Sequence, residues 1–144
     1  MRRYVRRYRL GLPREIVDRW VGLGAGIEVV DGHPNIYFEP KGLRVSGTWG
    51  DEFFGNIERL LTGFLLGTNR DYFIVVCPSP IGCFVEEHGS GAVEFLVVDS
   101  RTRRPVLMGD LEFLNESGST EYIDAEVVKI TLDTVIPGEL DRLY

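Results

Sequence analysis

The opening stretch "RYVRRYRLGL" alternates, with Tyr4, Arg6, Tyr8 and Leu10 on one side and Val5, Arg7 and Arg9 on the other. That is the period-two pattern of an extended segment whose long arginine stems can lie over apolar neighbours, so a basic strand or arm is predicted over residues 1–12. At "LPREIVDRWVGLG" the period changes. Ile16, Val17, Trp20, Val21 and Leu23 fall at helical spacing, Pro13 suits a first turn, and Gly24 or Gly26 ends the run, which predicts a short helix at about 13–22. "GIEVVDGHPNIYFEPKGLRVSGTW" then reads as three short extended segments, broken at Asp31-Gly32, Pro34, Pro40 and Gly42. The clearest helical stripe follows in "GDEFFGNIERLLTGFLLGTN", where Phe53, Ile57, Leu60, Leu61 and Phe64 share one face. Asp51 and Glu52 sit at the positive end of the helix dipole and Gly67 is placed to end it, so a long helix is predicted at about 51–66.

Beyond that helix the pattern is a meander: "YFIVVC", "CFVEE", "AVEFLVVD", "VLMGDLEFL" and "YIDAEVVKITLDTVI", joined by "PSPIG", "HGSG", "SRTRRP" and "NESGST". Connections this short favour antiparallel neighbours over crossovers. "YFIVVC" and "FLVV" are apolar on both faces and read as central strands. In the last strand Ile123, Ala125 and Val127 share one face, while Val128, Ile130 and Leu132 share the other. A bulge near Val127 brings both sets into one core. The expected fold is α+β: a mainly antiparallel sheet of about six to eight strands, with the long and the short helix packed on it.

Length and composition leave this picture intact. A chain of 144 residues suits one domain spanning 1–144, and 44% hydrophobic with 26% charged residues is ordinary for a globular protein. Charge adds something. Residues 1–14 carry Arg2, Arg3, Arg6, Arg7, Arg9 and Arg14 with no acid; since the chain totals −6, the remainder is left at −12. No apolar run approaches the length needed to span a bilayer, and the basic start is not followed by the apolar region of a secretory signal. A cytoplasmic location is expected, without membrane association, and in a reducing compartment the only two cysteines, Cys77 and Cys83, are expected as free, half-buried thiols ahead of a disulfide.

Candidate chemistry concentrates in "FIVVCPSPIGCFVEEHG". On a hairpin looped by "PSPIG", Cys77 and Cys83 would be cross-strand neighbours. With His88 they form a candidate thiol site, but on an extended strand His88 lies too far from Cys83 to serve as its base. Zinc ligation lacks both C-x2-C and H-x3-H spacing, so no metal is expected. Glu86 and Glu87 alternate to opposite faces, and Asp110 with Glu112 in "GDLEF" is a further acidic pair; a solvated surface role is expected for all of them. "GLGAG" falls short of the dinucleotide fingerprint, and no P-loop, H-E-x-x-H or G-x-S-x-G occurs, so no cofactor is expected.

Three function classes follow, in order. The first is a non-catalytic binding domain whose acidic surface docks a basic protein partner; in general shape such a domain is similar to bacterial immunity proteins and adaptors, an analogy of fold class without a shared motif. The second is a nucleic-acid-associated protein using Arg2, Arg3, Tyr4, Arg6, Arg7, Tyr8 and Arg9, with guanidinium groups on phosphates and tyrosines stacking on bases. The third is an enzyme with a pocket near residues 77–88 or on the open face of the sheet. Self-association through an edge strand is compatible with each.

Overall fold

The computed structural model describes residues 12–30 and 33–135. Among the described residues eight antiparallel strands form one sheet, with two helices packed on it. Helix α1 (Arg14–Gly22) leads into strands β1 (Gly26–Val30), β2 (His33–Phe38) and β3 (Arg44–Thr48). Helix α2 (Asp51–Leu61) continues without a break into a π-helical turn, Thr62–Leu66. Strands β4 (Tyr72–Val76), β5 (Phe84–Val85), β6 (Gly89–Asp99), β7 (Pro105–Asn115) and β8 (Tyr122–Thr134) follow. The sheet order is β1-β2-β8-β7-β6-β4, with β3 also on β8 and β5 also on β6. The expected basic strand or arm over residues 1–12 lies, apart from Leu12, outside the described residues.

Both helices cover one face, and among the described residues no helix lies on the other. Phe53, Ile57 and Leu61 recur every fourth residue and are fully buried; Leu65 and Leu66 extend the stripe through the π turn. Leu60 and Phe64, predicted on the same stripe, are partly buried at its flanks, and Phe64 meets Phe38 edge-on with ring centroids 5.3 Å apart. Gly67 ends the helix with φ +61°, a conformation that costs glycine little, and its N–H donates to the Thr62 carbonyl. Trp20 of α1 is wholly buried against Phe38, and its indole N–H donates to the Leu65 carbonyl at 2.8 Å, so α1 is pinned to the π turn.

In the sheet, alternation sends Leu107, Leu111 and Phe113 of β7 and Val93, Phe95 and Val97 of β6 under the helices. Two aromatics sit over glycines paired directly opposite: Phe95 over Gly109 and Phe113 over Gly91, where a Cβ would overlap the rings. The long strand β8 keeps Ile123, Ala125 and Val127 in the core and then Ile130 and Leu132 as well. Between Glu112 and Phe113 the register of β7 shifts from Lys129 to Val127, so Val128 is the extra residue of a bulge. That is the bulge the sequence pattern requires, one residue from its expected place.

Two expectations are corrected. The strand "YFIVVC", read as central, ends the sheet as β4. Its apolar character on both faces has another source: α2 packs across one side, while on the other Phe73 lies beneath the Arg103 guanidinium, 5.5 Å from the ring centroid. Nor do Cys77 and Cys83 face each other across a hairpin. β4 pairs with residues 95–99 of β6 and β5 with residues 91–92, so the two strands lie in line along one edge. "CPSPIGC" is an excursion out of that edge.

Candidate functional site

The face of the sheet away from the helices collects the polar residues of every long strand. Cross-strand pairing places Glu94 of β6 opposite Asp110 of β7, and Asp110 opposite Thr131 of β8. Glu112, two residues along from Asp110, pairs with Lys129, whose ammonium lies over the Tyr37 ring at 5.4 Å. Asp133, Glu28, Asp124 and Glu126 extend the acidic character outward along β8 and β1. Arg44, a further cation of this face, is already engaged: it donates to Glu116 at 2.9 Å and to Asp124 at 3.2 Å, which holds the guanidinium more firmly protonated. Acids therefore dominate.

Directly opposed side chains in an antiparallel pair carry Cβ atoms about 5 Å apart, so Glu94 and Asp110 repel. The Asp110 carboxyl is raised above the ordinary aspartate range, first by loss of hydration and then by Glu94 and Glu112. Its side chain still reaches water although strand atoms crowd the carboxyl, which makes the shift a local property of an open surface. Glu94 and Asp110 line an open depression of about 260 Å³ together with Asn35, Met108, Thr131, Asp133 and Thr134. A cationic guest would relieve the repulsion as a proton does. No group of His, Cys, Asp and Glu among the described residues has the arrangement of a metal site.

The same side carries exposed apolar groups. Among the described residues the large hydrophobics left exposed are Leu23, Ile81, Phe84, Leu114 and Tyr122. Phe84 pairs with Ala92, Leu114 alternates with buried Phe113, and Tyr122 with buried Ile123, so all three project from the helix-free face. Ile81 stands on the excursion that borders it. Only Leu23 lies elsewhere, at the end of α1.

The candidate thiol site is not a thiol site in the structure. Cys77 and Cys83 form a disulfide with α-carbons 6.1 Å apart, closing the neck of the excursion, and so no free thiol remains among the described residues. The expectation of free thiols is overturned because the excursion returns the chain to the same edge of β6, which brings the two cysteines together without a hairpin. His88 is exposed in the turn after β5, packed at Gly118 of the β7–β8 connection. Glu86 and Glu87 are exposed in that same turn. Arg2, Arg3, Tyr4, Arg6, Arg7, Tyr8 and Arg9 lie outside the described residues.

Three residues escaped notice in the sequence. Glu94 is the one charge inside "AVEFLVV", a sign of a strand whose outer face is wet. Ile81 is a lone aliphatic in a proline-rich turn. Asn115 is almost fully buried where β7 ends. Its amide donates to the carbonyls of Glu86, Glu87 and Ser119, while its carbonyl oxygen accepts from the N–H groups of Ser117 and Asp124, tying two turns together. Comparison with protein-family models, curated proteins and solved structures returns no match for this chain.

Proposed function

We propose that this protein is a non-catalytic binding domain whose helix-free face docks a basic protein partner. The observation that carries this reading is the coincidence on one face of the acidic cluster Glu94, Asp110 and Glu112 with exposed Phe84, Leu114 and Tyr122. Charge steers the encounter and selects a cationic partner; apolar contact supplies the area that water must leave. A shallow acidic sheet surface fits a macromolecule better than an enclosed small molecule. Thiol catalysis near residues 77–88 loses its nucleophile to the disulfide.

Charge reversal tests the reading. Immobilised protein should retain a basic partner from the native extract at low salt and release it at high salt, and Asp110→Lys with Glu112→Lys should abolish retention while the fold is kept. Retention that survives both reversals overturns the proposal. A generic oligonucleotide bound with a steep salt dependence, flattened by replacing Arg2, Arg3, Arg6 and Arg7 with Ala, would favour the nucleic-acid reading instead.

Among the described residues no helix is long and apolar enough to cross a membrane. The cytoplasmic placement expected from sequence sits poorly with the Cys77–Cys83 bridge, since cytosolic thiols are ordinarily kept reduced. Docking by this face does not depend on the compartment. Self-association would use the outer edge of β4, which no described strand covers, a surface distinct from the acidic one.

A further inference from the structure

We propose that the disulfide-closed turn from Cys77 to Cys83 is the apolar anchor of the docking face, and that the segment it receives carries a bulky aliphatic or aromatic side chain among its arginines and lysines. This inference rests on the docking reading above and adds what the partner must present beyond charge. Ile81, at the tip of the turn, is 93% exposed, and Phe84, just past the bridge, is 51% exposed. Single exposed hydrophobics are common on protein surfaces. This one is held out by an unusually determined backbone.

Four constraints act on seven residues. The bridge closes the neck. Pro78 and Pro80 restrict φ at two positions, the latter opening a 3₁₀ turn over Pro80–Gly82. Cys77 adopts φ +53°, a left-handed conformation that a non-glycine residue holds only when its surroundings enforce it. Its N–H donates to the Glu94 carbonyl at 2.7 Å, so the strained residue is fastened to the strand that carries the acidic cluster. A turn so confined loses little entropy when it binds.

Position relates the tip to charge. Gly82 lies against the Glu94 carboxyl so closely that a Cβ there would overlap it. The turn therefore leans over the acidic side, with Ile81 and Phe84 at the rim of a surface whose interior is Glu94, Asp110 and Glu112. A purely cationic segment would satisfy the acids and leave the rim wet. A segment with an apolar side chain beside its cations satisfies both, its cations over the acidic interior and its apolar side chain against Ile81 and Phe84 at the rim.

Two synthetic peptides of equal length and charge serve as probes, one alternating arginine with glycine and the other arginine with leucine, with binding read by fluorescence anisotropy at low salt. The wild-type protein is expected to bind the leucine-bearing peptide about ten- to a hundredfold more tightly, the range that burying one aliphatic side chain supplies. Ile81→Ser, at a residue almost wholly in water, and the double variant Cys77→Ser/Cys83→Ser should each shrink that preference towards unity and leave the arginine–glycine peptide unaffected. Glu112→Lys should weaken both peptides alike. Equal affinity for the two peptides, or a preference unchanged by Ile81→Ser, overturns the anchor and leaves charge docking in place. A preference that survives loss of the bridge overturns the role of the disulfide. Failure of the wild type to bind either peptide removes the docking reading, and the anchor with it.

Discussion

Leu111 and Glu112 are neighbours in β7 and face opposite sides of the same sheet. Leu111 is fully buried beneath the helices, while Glu112 looks across at Lys129 on the helix-free side. The covered face is specified by volume: Trp20, Phe38, Phe53 and Phe113 interlock through edge-on and tilted rings, and Phe95 and Phe113 need glycines opposite them. The other face tolerates like charges side by side because water screens them, and it leaves Phe84, Leu114 and Tyr122 exposed. One face is shaped by the cost of a void, the other by what it can meet. Substitutions should therefore separate cleanly into those that move stability and those that move binding.

The largest effect is expected at Trp20. Replacing Trp20 with Ala removes a fully buried indole and orphans the Leu65 carbonyl, at a cost of about 3 to 5 kcal/mol, measured by chemical denaturation. A loss below 1 kcal/mol would mean that α1 is not part of the core.

The helix-covered side was largely legible in the sequence, and the reason is periodicity. The stripe Phe53, Ile57, Leu61 and the short run Ile16, Val17, Trp20 each bury one side at a spacing no other structure shares. The β8 bulge was legible too, since its two apolar sets lie out of phase by one residue. Edges were not. "YFIVVC" is apolar on both faces whether it lies between two strands or at an edge with a helix over one face and an arginine over the other, and nothing local distinguishes the two. The disulfide was hidden for a related reason: β4 and β5 return to the same neighbour, β6, a long-range fact that two cysteines six residues apart do not encode. The acidic face was half visible, with Asp110 and Glu112 paired by alternation but Glu94 brought to them only by the β6–β7 register.

Asn115 sharpens the comparison at the seam between the faces. It is a buried polar side chain at the end of a core-facing row, and its amide satisfies three carbonyls of two turns. Asn115→Ala removes a donor from all three, and only the Ser119 carbonyl keeps another, the Ser117 hydroxyl, so a loss of about 2 to 3 kcal/mol is expected. Hydrogen exchange should quicken at Ser117 and Asp124, whose N–H groups it accepts. If stability falls while exchange there is unchanged, the side chain is filling space and not organising the turns.

The smallest effect belongs to the open face, and its sign is informative. Asp110 has a raised carboxyl pKa in the folded chain because hydration is lost and Glu94 and Glu112 stand close; Thr131, opposite on β8, carries no charge to offset them. A carboxyl that holds its proton more tightly folded than unfolded favours the fold while protonated. That contribution is complete below the unfolded aspartate pKa, fades as pH rises towards the folded value, and is absent above it, where the charged group opposes folding. Asp110→Asn removes the charge at every pH. The variant should therefore be slightly more stable than the wild type at neutral pH, by no more than about 0.5 kcal/mol for so open a site, and the difference should shrink on acidification below the ordinary aspartate range. Matched thermal melts at neutral and acidic pH read this directly. A neutral-pH variant less stable than the wild type would mean that the Asp110 carboxylate is favourably partnered in the folded chain, and the acidic cluster would no longer be a surface kept under repulsion for a cationic guest.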